Sequence, residues 1–378
     1  MNRYRHPAYL AQLTAAVEDP GLPWAALAGK RVLITGASGM LGSCLVDLLM
    51  AANQQRQAGV HIFALGRSAE RGQARFADAW ESPWFTFVEQ DINAEISALT
   101  QPMDYIVHAA SNADPVSFAK YPVETLKANF MGTERLLSLA GQWHSRLLFV
   151  SSGEMYGQMP AGAPPFVETD CGTVDHSSPR ACYPAGKRAA EVLCQAYRQE
   201  YGVDSVIARP CHLYGPTMTS SDSRAIAQFV RNAVAREPIV LKSEGLQDRT
   251  WCYVTDAAAA LLFILLRGQS GEAYNVADPH SRATVRAMAE KAAVAGGTHV
   301  AFARPDAVEK AGFTPITHAV LNAEKLKSLG WAPAISLEEG LCTTVCILRE
   351  ETCDDEEAYA SFCFTENQPG CVMARWGR

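Results

Sequence analysis

The chain has 378 residues, of which 48% are hydrophobic and 19% are charged, and its formal net charge is −7. A chain of this length can bury a large core, and a negative charge without any basic run argues against a nucleic-acid-binding surface. The most apolar run, residues 257–266, is too short to span a bilayer and is therefore predicted to be a buried helix.

Residues 1–28 precede the first predicted strand and are expected to form an N-terminal extension with one short helix. They lack an apolar core like that of a signal peptide. The eleven cysteines include no C-x-x-C pair and show no metal-ligand spacing with histidines. We therefore expect reduced thiols, no metal site and a cytoplasmic location.

Short apolar stretches with helical patterns between several of them run through the first part of the chain. They predict strands at 30–36, 60–67, 85–92, 103–110, 145–152 and 204–210. Because strands that alternate with helices pair in parallel and are covered on both faces, we expect an α/β fold with a doubly wound parallel sheet.

The alternation stops after Pro210, and the predicted domain boundaries follow from that. Residues 29–210 are predicted to form a dinucleotide-binding domain, to which residues 250–275 return. A smaller mixed C-terminal substrate domain is expected from the segments 211–249 and 276–350. Residues 351–378 are expected to be a tail, for which the sequence suggests no function.

A glycine motif follows the first predicted strand and opens a helix. Gly36, Gly39 and Gly42 have the spacing G-x-x-G-x-x-G, which allows a tight turn and lets a pyrophosphate approach the backbone at a helix N-terminus. In this context the motif predicts a Rossmann dinucleotide site that includes Met40 and Leu41. The alternative is a purely structural glycine turn.

The end of the second strand bears on the choice of dinucleotide. It reads "ALGRS", without the acidic residue that would hold an adenosine ribose diol. Arg67 could instead meet a 2′-phosphate, which favours NADP; alternatively it stacks or faces solvent. Asp91 after the third strand is predicted to touch the adenine, together with Ile92. The loop after the fourth strand is predicted to pass along the cofactor with Ala109, Ala110 and Ser111.

A tyrosine and a lysine are spaced to share one face of a later helix. Tyr183 lies four positions before Lys187, and the strand ending in Ser151 and Ser152 precedes them by about thirty residues. A tyrosine has an ordinary pKa of about 10, too high for a base at neutral pH. We expect Lys187 and a positive nicotinamide to lower the pKa of Tyr183, with Ser152 bonded to the reacting oxygen. The alternative is an ordinary exposed Tyr/Lys pair.

From about Lys30 to Leu348 the chain resembles the extended short-chain dehydrogenase/reductases, the NAD-dependent epimerase/dehydratase family, in the branch that acts on nucleotide sugars. The stretches "SPRACYPAGKRAAE" and "HAASNADPVSFAKYPVETLKAN" are most similar to UDP-glucuronate decarboxylases. Sugar-nucleotide 4,6-dehydratases and 4-epimerases are the nearest relatives. The resemblance implies a nucleotide-sugar substrate and usually a homodimer formed through a four-helix bundle.

The resemblance also implies roles for single residues. Ser152 stands where the family has its catalytic Ser or Thr, and Glu154 matches an acidic residue kept in decarboxylases and dehydratases. Gly153 replaces the aspartate that serves as the acid in dehydratases, which argues against 4,6-dehydration. Asn129 matches a structural asparagine on the substrate and cofactor side.

Arg224 and Arg249 match arginines that lie near the nucleotide diphosphate, where a planar guanidinium offers paired donors. For Arg249 the alternative is an ion pair with Asp248 or Asp256.

Two substrate-side positions depart from the family. His212 stands where the family usually has an asparagine that touches the diphosphate. His318 falls near the position of an arginine that is thought to assist at the substrate carboxylate in decarboxylases, which puts decarboxylation in doubt.

The expected activity begins with oxidation of the sugar at C4 through a bound nicotinamide cofactor. The family leans to NAD, so NAD and NADP are both retained. A UDP-glucuronate decarboxylase-like enzyme is the first hypothesis, and a nucleotide-sugar 4-epimerase or 4-keto reductase is the alternative. A more distant alternative is a non-catalytic dinucleotide-binding regulator, but such proteins usually lose the tyrosine or the lysine.

Overall fold

A seven-stranded parallel sheet forms the centre of the structure. The computed structural model describes residues 3–160, 162–304 and 316–351. The strands of the sheet are Arg31–Thr35 (β1), His61–Gly66 (β2), Phe85–Glu89 (β3), Tyr105–His108 (β4), Arg146–Val150 (β5), Ser205–Pro210 (β6) and Ala273–Val276 (β10). Their order is β10-β6-β5-β4-β1-β2-β3, and every neighbouring pair is parallel. The predicted fold class is confirmed, and the strand order reverses between β1 and β4, where such sheets open a crevice.

The helices follow the strands as the sequence pattern predicts. They are Pro7–Glu18 (α1), Met40–Arg56 (α2), Ala69–Arg75 (α3), Pro115–Lys120 (α4), Pro122–Trp143 (α5), Cys182–Tyr201 (α6), Ala225–Ala235 (α7), Val254–Arg267 (α8), Val285–Gly296 (α9), Glu324–Lys327 (α10) and Leu337–Arg349 (α11). The apolar run at 257–266 lies within α8, which is buried on nearly all sides. None of the helices in the described ranges is long and apolar enough to cross a membrane.

Both faces of the sheet are buried, because successive side chains of a strand point to opposite faces. In β1, Val32 and Ile34 pack in the cluster that includes side chains of α2 and α8. Leu33, between them, packs instead with Leu136 of α5 and Ala190 of α6. Burying a valine, leucine or isoleucine contributes about 1.5–3 kcal/mol, so the apolar strands bind both helical layers to the sheet.

A smaller lobe is built from the segments after β6. Its strands are His212–Tyr214 (β7), Ile239–Leu241 (β8), Asp248–Tyr253 (β9), Asp278–Thr284 (β11), Val300–Phe302 (β12) and His318–Ala319 (β13). β11, β9 and β13 form one sheet with β7 beside β9, and β12 pairs with β8. Helices α7, α9 and α11 share a hydrophobic cluster with this lobe. The domain boundaries stay a prediction; in the structure, α8 and β10 lie with the larger sheet.

The N-terminal extension forms α1 and two short helical turns. Tyr9 donates a hydrogen bond to Asp47 of α2 at 2.9 Å, and Tyr253 of β9 donates to Gln12 at 3.0 Å. The extension therefore contacts both helix α2 and strand β9 of the smaller lobe. The tail at 352–378 lies outside the described residues.

The cysteines do not all match the expectation of reduced thiols. Among those described, Cys44, Cys171, Cys182, Cys194, Cys211 and Cys252 are free thiols, whereas Cys346 is disulfide-bonded. Among the residues in the described ranges, no three His, Cys, Asp or Glu side chains come together as a metal site would require.

Candidate active site

A cavity of about 400 Å³ opens at the carboxyl ends of the central strands. Its lining begins with Gly36 after β1, Arg67 after β2 and Ala109 after β4, and continues with Ser151 after β5 and Cys211 after β6. Ligands of doubly wound sheets bind at this edge, at the point where the strand order reverses. The smaller lobe closes the other side of the cavity.

The glycine turn forms one end of the cavity. Gly36 has φ +65°, and a Cβ atom there would lie 2.7 Å from the Ala109 carbonyl oxygen and from the Ala110 Cα. Gly39 is the N-cap of α2 and makes no side-chain cap, so the first N–H groups of the helix stay available to a ligand. Met40 and Leu41 line the cavity beside them. This turn fits the pyrophosphate of a dinucleotide.

Some of the other residues predicted to bind the cofactor line the cavity, and others do not. Arg67, Ala109 and Ser111 line the cavity. Asp91 accepts a hydrogen bond from the Asn93 backbone N–H at 2.9 Å, and the carbonyl of the buried Ile92 accepts one from Arg135 at 3.2 Å. Asp91, Ile92 and Ala110 are not among the lining residues, so their contacts with a cofactor stay predictions.

Helix α6 presents Tyr183 and Lys187 to the end of β5. Both side chains are buried. The Lys187 ammonium donates to the Val150 carbonyl at 2.7 Å and lies 4.7 Å from the centre of the Phe149 ring. The Ser152 hydroxyl accepts a hydrogen bond from the Glu154 backbone N–H at 3.1 Å, and it lies near enough to the Tyr183 phenol to lower its pKa. The alternative of an exposed Tyr/Lys pair is therefore wrong.

The expected effect of Lys187 on Tyr183 needs correction. Burial raises the pKa of Tyr183 to about 12, with the Ser152 hydrogen bond lowering it only in part. Burial also lowers the pKa of Lys187 to about 7. The sequence argument counted the charge of the lysine but not the desolvation of either group, and desolvation dominates here because both lie in the protein interior.

Glu154 faces the same end of the cavity and has a partner that the sequence analysis missed. Arg180 donates to the Glu154 carboxylate at 3.0 Å, and its guanidinium lies 4.5 Å from the centre of the Phe118 ring. Phe118 in turn stacks on Tyr183 with ring centres 4.6 Å apart. Arg180 stands three positions before the tyrosine, in the motif already singled out, and that nearness was the available signal.

Arg224 lies between the glycine turn and the smaller lobe. Its guanidinium pairs with Asp222 at 2.6 Å and donates to the Leu213 carbonyl at 3.1 Å. The Arg224 nitrogen that pairs with Asp222 also lies 3.5 Å from the Met40 sulfur. Arg224 therefore reaches a residue at the start of α2.

Arg249 is buried, lines the cavity and donates to the Ile316 carbonyl at 3.0 Å. Asp248 pairs instead with Arg282 at 2.6 Å. Asp256 accepts a hydrogen bond from the Ile335 N–H at 3.0 Å. Arg249 therefore forms no ion pair with Asp248 or Asp256, and that alternative is wrong.

His212 lines the cavity beside these two arginines. Its Nδ1 atom is buried and has no hydrogen-bond partner within the described part of the chain. Burial, and then the charges of Arg249 and Arg224, hold the pKa of His212 well below its ordinary value. The ring is therefore neutral where the family usually has a neutral amide.

Asn129 and His318 are not among the residues that line the cavity. Asn129 is fully buried in α5 and donates to the Thr125 carbonyl at 2.8 Å. His318 Nδ1 lies 3.3 Å from the Asp248 carboxylate, and its ring packs edge-on against Phe166. In the short ladder between β13 and β9, His318 pairs with Asp248 and Ala319 with Arg249. Ala319 and Arg249 therefore share the cavity face, and His318 lies on the opposite one.

A polar contact across the cavity mouth was also missed. Ser223 of the smaller lobe donates to Asp114, the N-cap of α4, at 2.6 Å. Asp114 and the neighbouring Asp222 both line the cavity. A long-range contact of this kind leaves no local sequence signal.

The chain is similar in sequence and in fold to several known proteins. A model of the NAD dependent epimerase/dehydratase family matches residues 32–277. UDP-glucuronic acid decarboxylase 1 of Xenopus tropicalis is 32% identical over 324 residues, which is 85% of this chain and 73% of the relative. The solved structure of DesIV, a dTDP-glucose 4,6-dehydratase from Streptomyces venezuelae, gives a TM-score of 0.73 at 26% identity, over 85% of this chain and 97% of that one. UDP-glucuronic acid 4-epimerase from Bacillus cereus gives 0.72 at 20% identity, over 85% and 99%, and so shares the fold.

Proposed function

The chain belongs to the NAD dependent epimerase/dehydratase family, and from that premise we propose that it oxidises the sugar of a nucleotide-linked substrate at C4. The favoured reaction is decarboxylation of UDP-glucuronate, as the name of the 32%-identical Xenopus relative suggests. One observation carries the proposal: Ser152, Tyr183 and Lys187 line one end of a cavity whose other end is the glycine turn.

In the proposed mechanism Tyr183 accepts the proton of the sugar O4 hydroxyl while Ser152 holds that oxygen. The glycine turn and the N-terminus of α2 hold the dinucleotide, which supplies a hydride acceptor and later a hydride donor for the sugar C4. Because burial raises the pKa of Tyr183, its phenolate needs nearby positive charge. Arg224 and Arg180 lower that pKa in the structure, and we assign the Lys187 ammonium to the same role.

A 4-ketone turns the C6 carboxylate of a glucuronate into a β-keto acid, which loses carbon dioxide through an enolate. Glu154 lies at the same end of the cavity, held by Arg180 at 3.0 Å. We assign Glu154 to moving a proton at C5 or to ordering a water molecule there. Because Gly153 has no carboxylate to act as the acid, 4,6-dehydration is disfavoured.

A second candidate, a 4-epimerase or 4-keto reductase, is supported by the wall of the cavity beside Gly153. Ile316, Ala319 and Leu321 line it, and a Cβ on Gly153 would lie 3.1 Å from a Leu321 methyl group. His318 faces away from this wall, so it offers the substrate carboxylate no cation there. An apolar wall suits a sugar without a carboxylate, because an unpaired buried charge is costly.

A non-catalytic regulator is the least supported reading, because the tyrosine, the lysine, the serine and the glutamate are all retained and all line the cavity.

The dinucleotide is proposed to be NAD or NADP. Arg67 is exposed at the adenosine end, lines the cavity and forms no ion pair with any residue that the structure describes. This availability supports binding of a 2′-phosphate and hence NADP. The family description names NAD.

The protein is proposed to act as a homodimer in the cytoplasm. Helices α5 and α6 lie side by side and expose apolar side chains, among them Val123, Leu126, Phe130, Met131 and Val192. Monomeric proteins rarely leave such a row uncovered, and two copies would join these helices into a four-helix bundle. The free thiols of Cys44, Cys182 and Cys194 favour a reducing compartment, whereas the disulfide at Cys346 counts against it.

The test is incubation with UDP-glucuronate, following carbon dioxide and product mass together. Release of carbon dioxide with a pentose product supports decarboxylation. A product of unchanged mass, inverted at C4, would establish the epimerase instead. If UDP-glucuronate is not turned over, a panel of other nucleotide sugars and their 4-keto forms should be tested as substrates.

A further inference from the structure

The helix face that carries Tyr183 and Lys187 continues to a third ionisable residue, Glu191. The three are four residues apart in sequence and so lie on one face of α6. Their relative exposures are 7%, 2% and 7%. A carboxylate this deeply buried next to the catalytic pair has no place in the mechanism above.

Three consecutive residues at the end of β5, Val150, Ser151 and Ser152, lie next to these three side chains. The Val150 carbonyl accepts from the Lys187 ammonium at 2.7 Å. The Ser151 hydroxyl donates to the Glu191 carboxylate at 2.5 Å. Ser152, by contrast, accepts a hydrogen bond from the Glu154 backbone N–H at 3.1 Å and lowers the pKa of Tyr183. The two adjacent serines therefore have different partners, and the partner of Ser151 is Glu191.

Glu191 is also fixed from β6. Arg209 donates to one carboxylate oxygen through Nε at 3.0 Å and to the other through a terminal nitrogen at 2.6 Å. The same guanidinium donates to the Tyr156 hydroxyl at 2.8 Å. Such two-point pairing is characteristic of an ionised carboxylate, so Glu191 is a fixed negative charge.

Apart from Glu191 and the Arg209 guanidinium that pairs with it, the described side chains around Lys187 carry no charge. His108 faces it from β4, and burial lowers the pKa of His108 to about 3, so that ring is neutral. Phe149 and the Val150 carbonyl face it from β5, and Tyr183 and Glu191 face it from α6. On the side of α5, Asn129 lies next to Gly186, the residue before Lys187, and its side chain is uncharged.

Within this shell the balance at Lys187 is between two effects. Burial lowers the pKa of Lys187 to about 7, and the Glu191 carboxylate raises it in part. An interior charge interaction is screened far less than one in water. Near neutral pH, both the charged and the neutral form of Lys187 are therefore populated. A small change in the local electrostatic potential shifts the ratio of the two forms.

We propose that Glu191 is a positioning residue that keeps Lys187 in its ammonium form, so that Lys187 can stabilise the phenolate of Tyr183. Ser151 and Arg209 hold the carboxylate in place for this role. The inference rests on the proposed function for its link to catalysis, but the coupling between Glu191 and Lys187 can be measured without any substrate.

The test is a pH titration of Lys187 by NMR of isotope-labelled lysine side chains, with the signal assigned from Lys187→Met. Glu191→Gln keeps the shape and removes the charge, and should lower the pKa of Lys187 by about one unit. Glu191→Asp keeps the charge and should restore most of that shift. Ser151→Ala, the matched control, removes the hydrogen bond to the carboxylate but not its charge, and should move the titration by only a few tenths of a unit.

Glu191→Gln leaves the buried Arg209 without its anion, which can prevent folding. The double variant Glu191→Gln/Arg209→Met removes both charges, and its Lys187 should still titrate below that of the wild type. Unchanged titration in the folded charge-free variants would overturn the inference, whichever sugar the enzyme uses. If turnover is found, its rate near pH 7 should fall about fivefold in Glu191→Gln, the loss of ammonium form that a shift of one unit produces.

Discussion

The Lys187 nitrogen lies 5.7 Å from the centre of the Tyr183 ring, and Lys187 directs a hydrogen bond to a strand carbonyl rather than to the phenol. The effect that we propose for Lys187 on the phenol therefore acts through space and not through a hydrogen bond. The same bond to Val150 fixes the helix against the strand end, so the distance between the two side chains is set by packing.

Replacing Tyr183 by phenylalanine should abolish the base without disturbing its surroundings. The new ring keeps the stacking on Phe118, so dinucleotide binding and thermal stability should change little. Turnover should fall at least about a hundredfold, the scale of general-base catalysis. Steady-state kinetics beside a titration with the dinucleotide measure both quantities, and near-normal turnover would remove Tyr183 from the mechanism.

Arg67→Ala should weaken the binding of NADP more than that of NAD. The guanidinium is exposed and lines the end of the cavity at which we propose that the adenosine binds, where only NADP would carry a further phosphate. Fluorescence titration of the protein with each dinucleotide compares the two losses directly. Equal losses, or none, would show that Arg67 does not read the 2′-phosphate.

Folding stability should fall in acid partly through His108. Burial lowers the folded pKa of His108 to about 3, below the unfolded value of about 6.5. The unfolded chain therefore binds the extra proton first, and stability is lost as the pH falls from about 6.5 toward 3, by up to about 1.4 kcal/mol per pH unit.

Denaturant unfolding of the wild type and His108→Gln over this pH range isolates the contribution, because the other titrating groups are common to both proteins. The glutamine variant should be less stable at neutral pH, since it alters the 2.8 Å hydrogen bond to Thr35, but should lose less stability on acidification. Parallel pH dependences would contradict the assignment.

A charge on the exposed face of α5 should separate the proposed dimer. Phe130 is 43% exposed beside Leu126 and Met131, so Phe130→Glu should place a carboxylate inside the four-helix bundle, where burial of a charge is costly. Sedimentation velocity should report a dimer for the wild type and a monomer for the variant. Val294→Glu, at an apolar position on α9 that is 58% exposed, is the control and should leave the assembly unchanged.

Much of the site could be predicted because its signals are local. The glycine spacing needs only a strand before it and a helix after it, and the Tyr183/Lys187 pair needs only the periodicity of a helix. The charge state of that pair could not be predicted from spacing. It depends on desolvation, which is a property of everything packed around the two groups.

The parallel sheet, the glycine turn and the helix that carries the tyrosine and lysine could be predicted from the sequence, since each follows from a short-range pattern. The partner of Glu154, the partner of Ser151 and the side of β13 that faces the cavity became known from the folded structure alone. His318 lies outside the cavity and Ala319 inside it because of how β13 pairs with β9. A shift of one residue in that pairing would exchange the two side chains, and such a register is set by contacts between segments far apart in the chain.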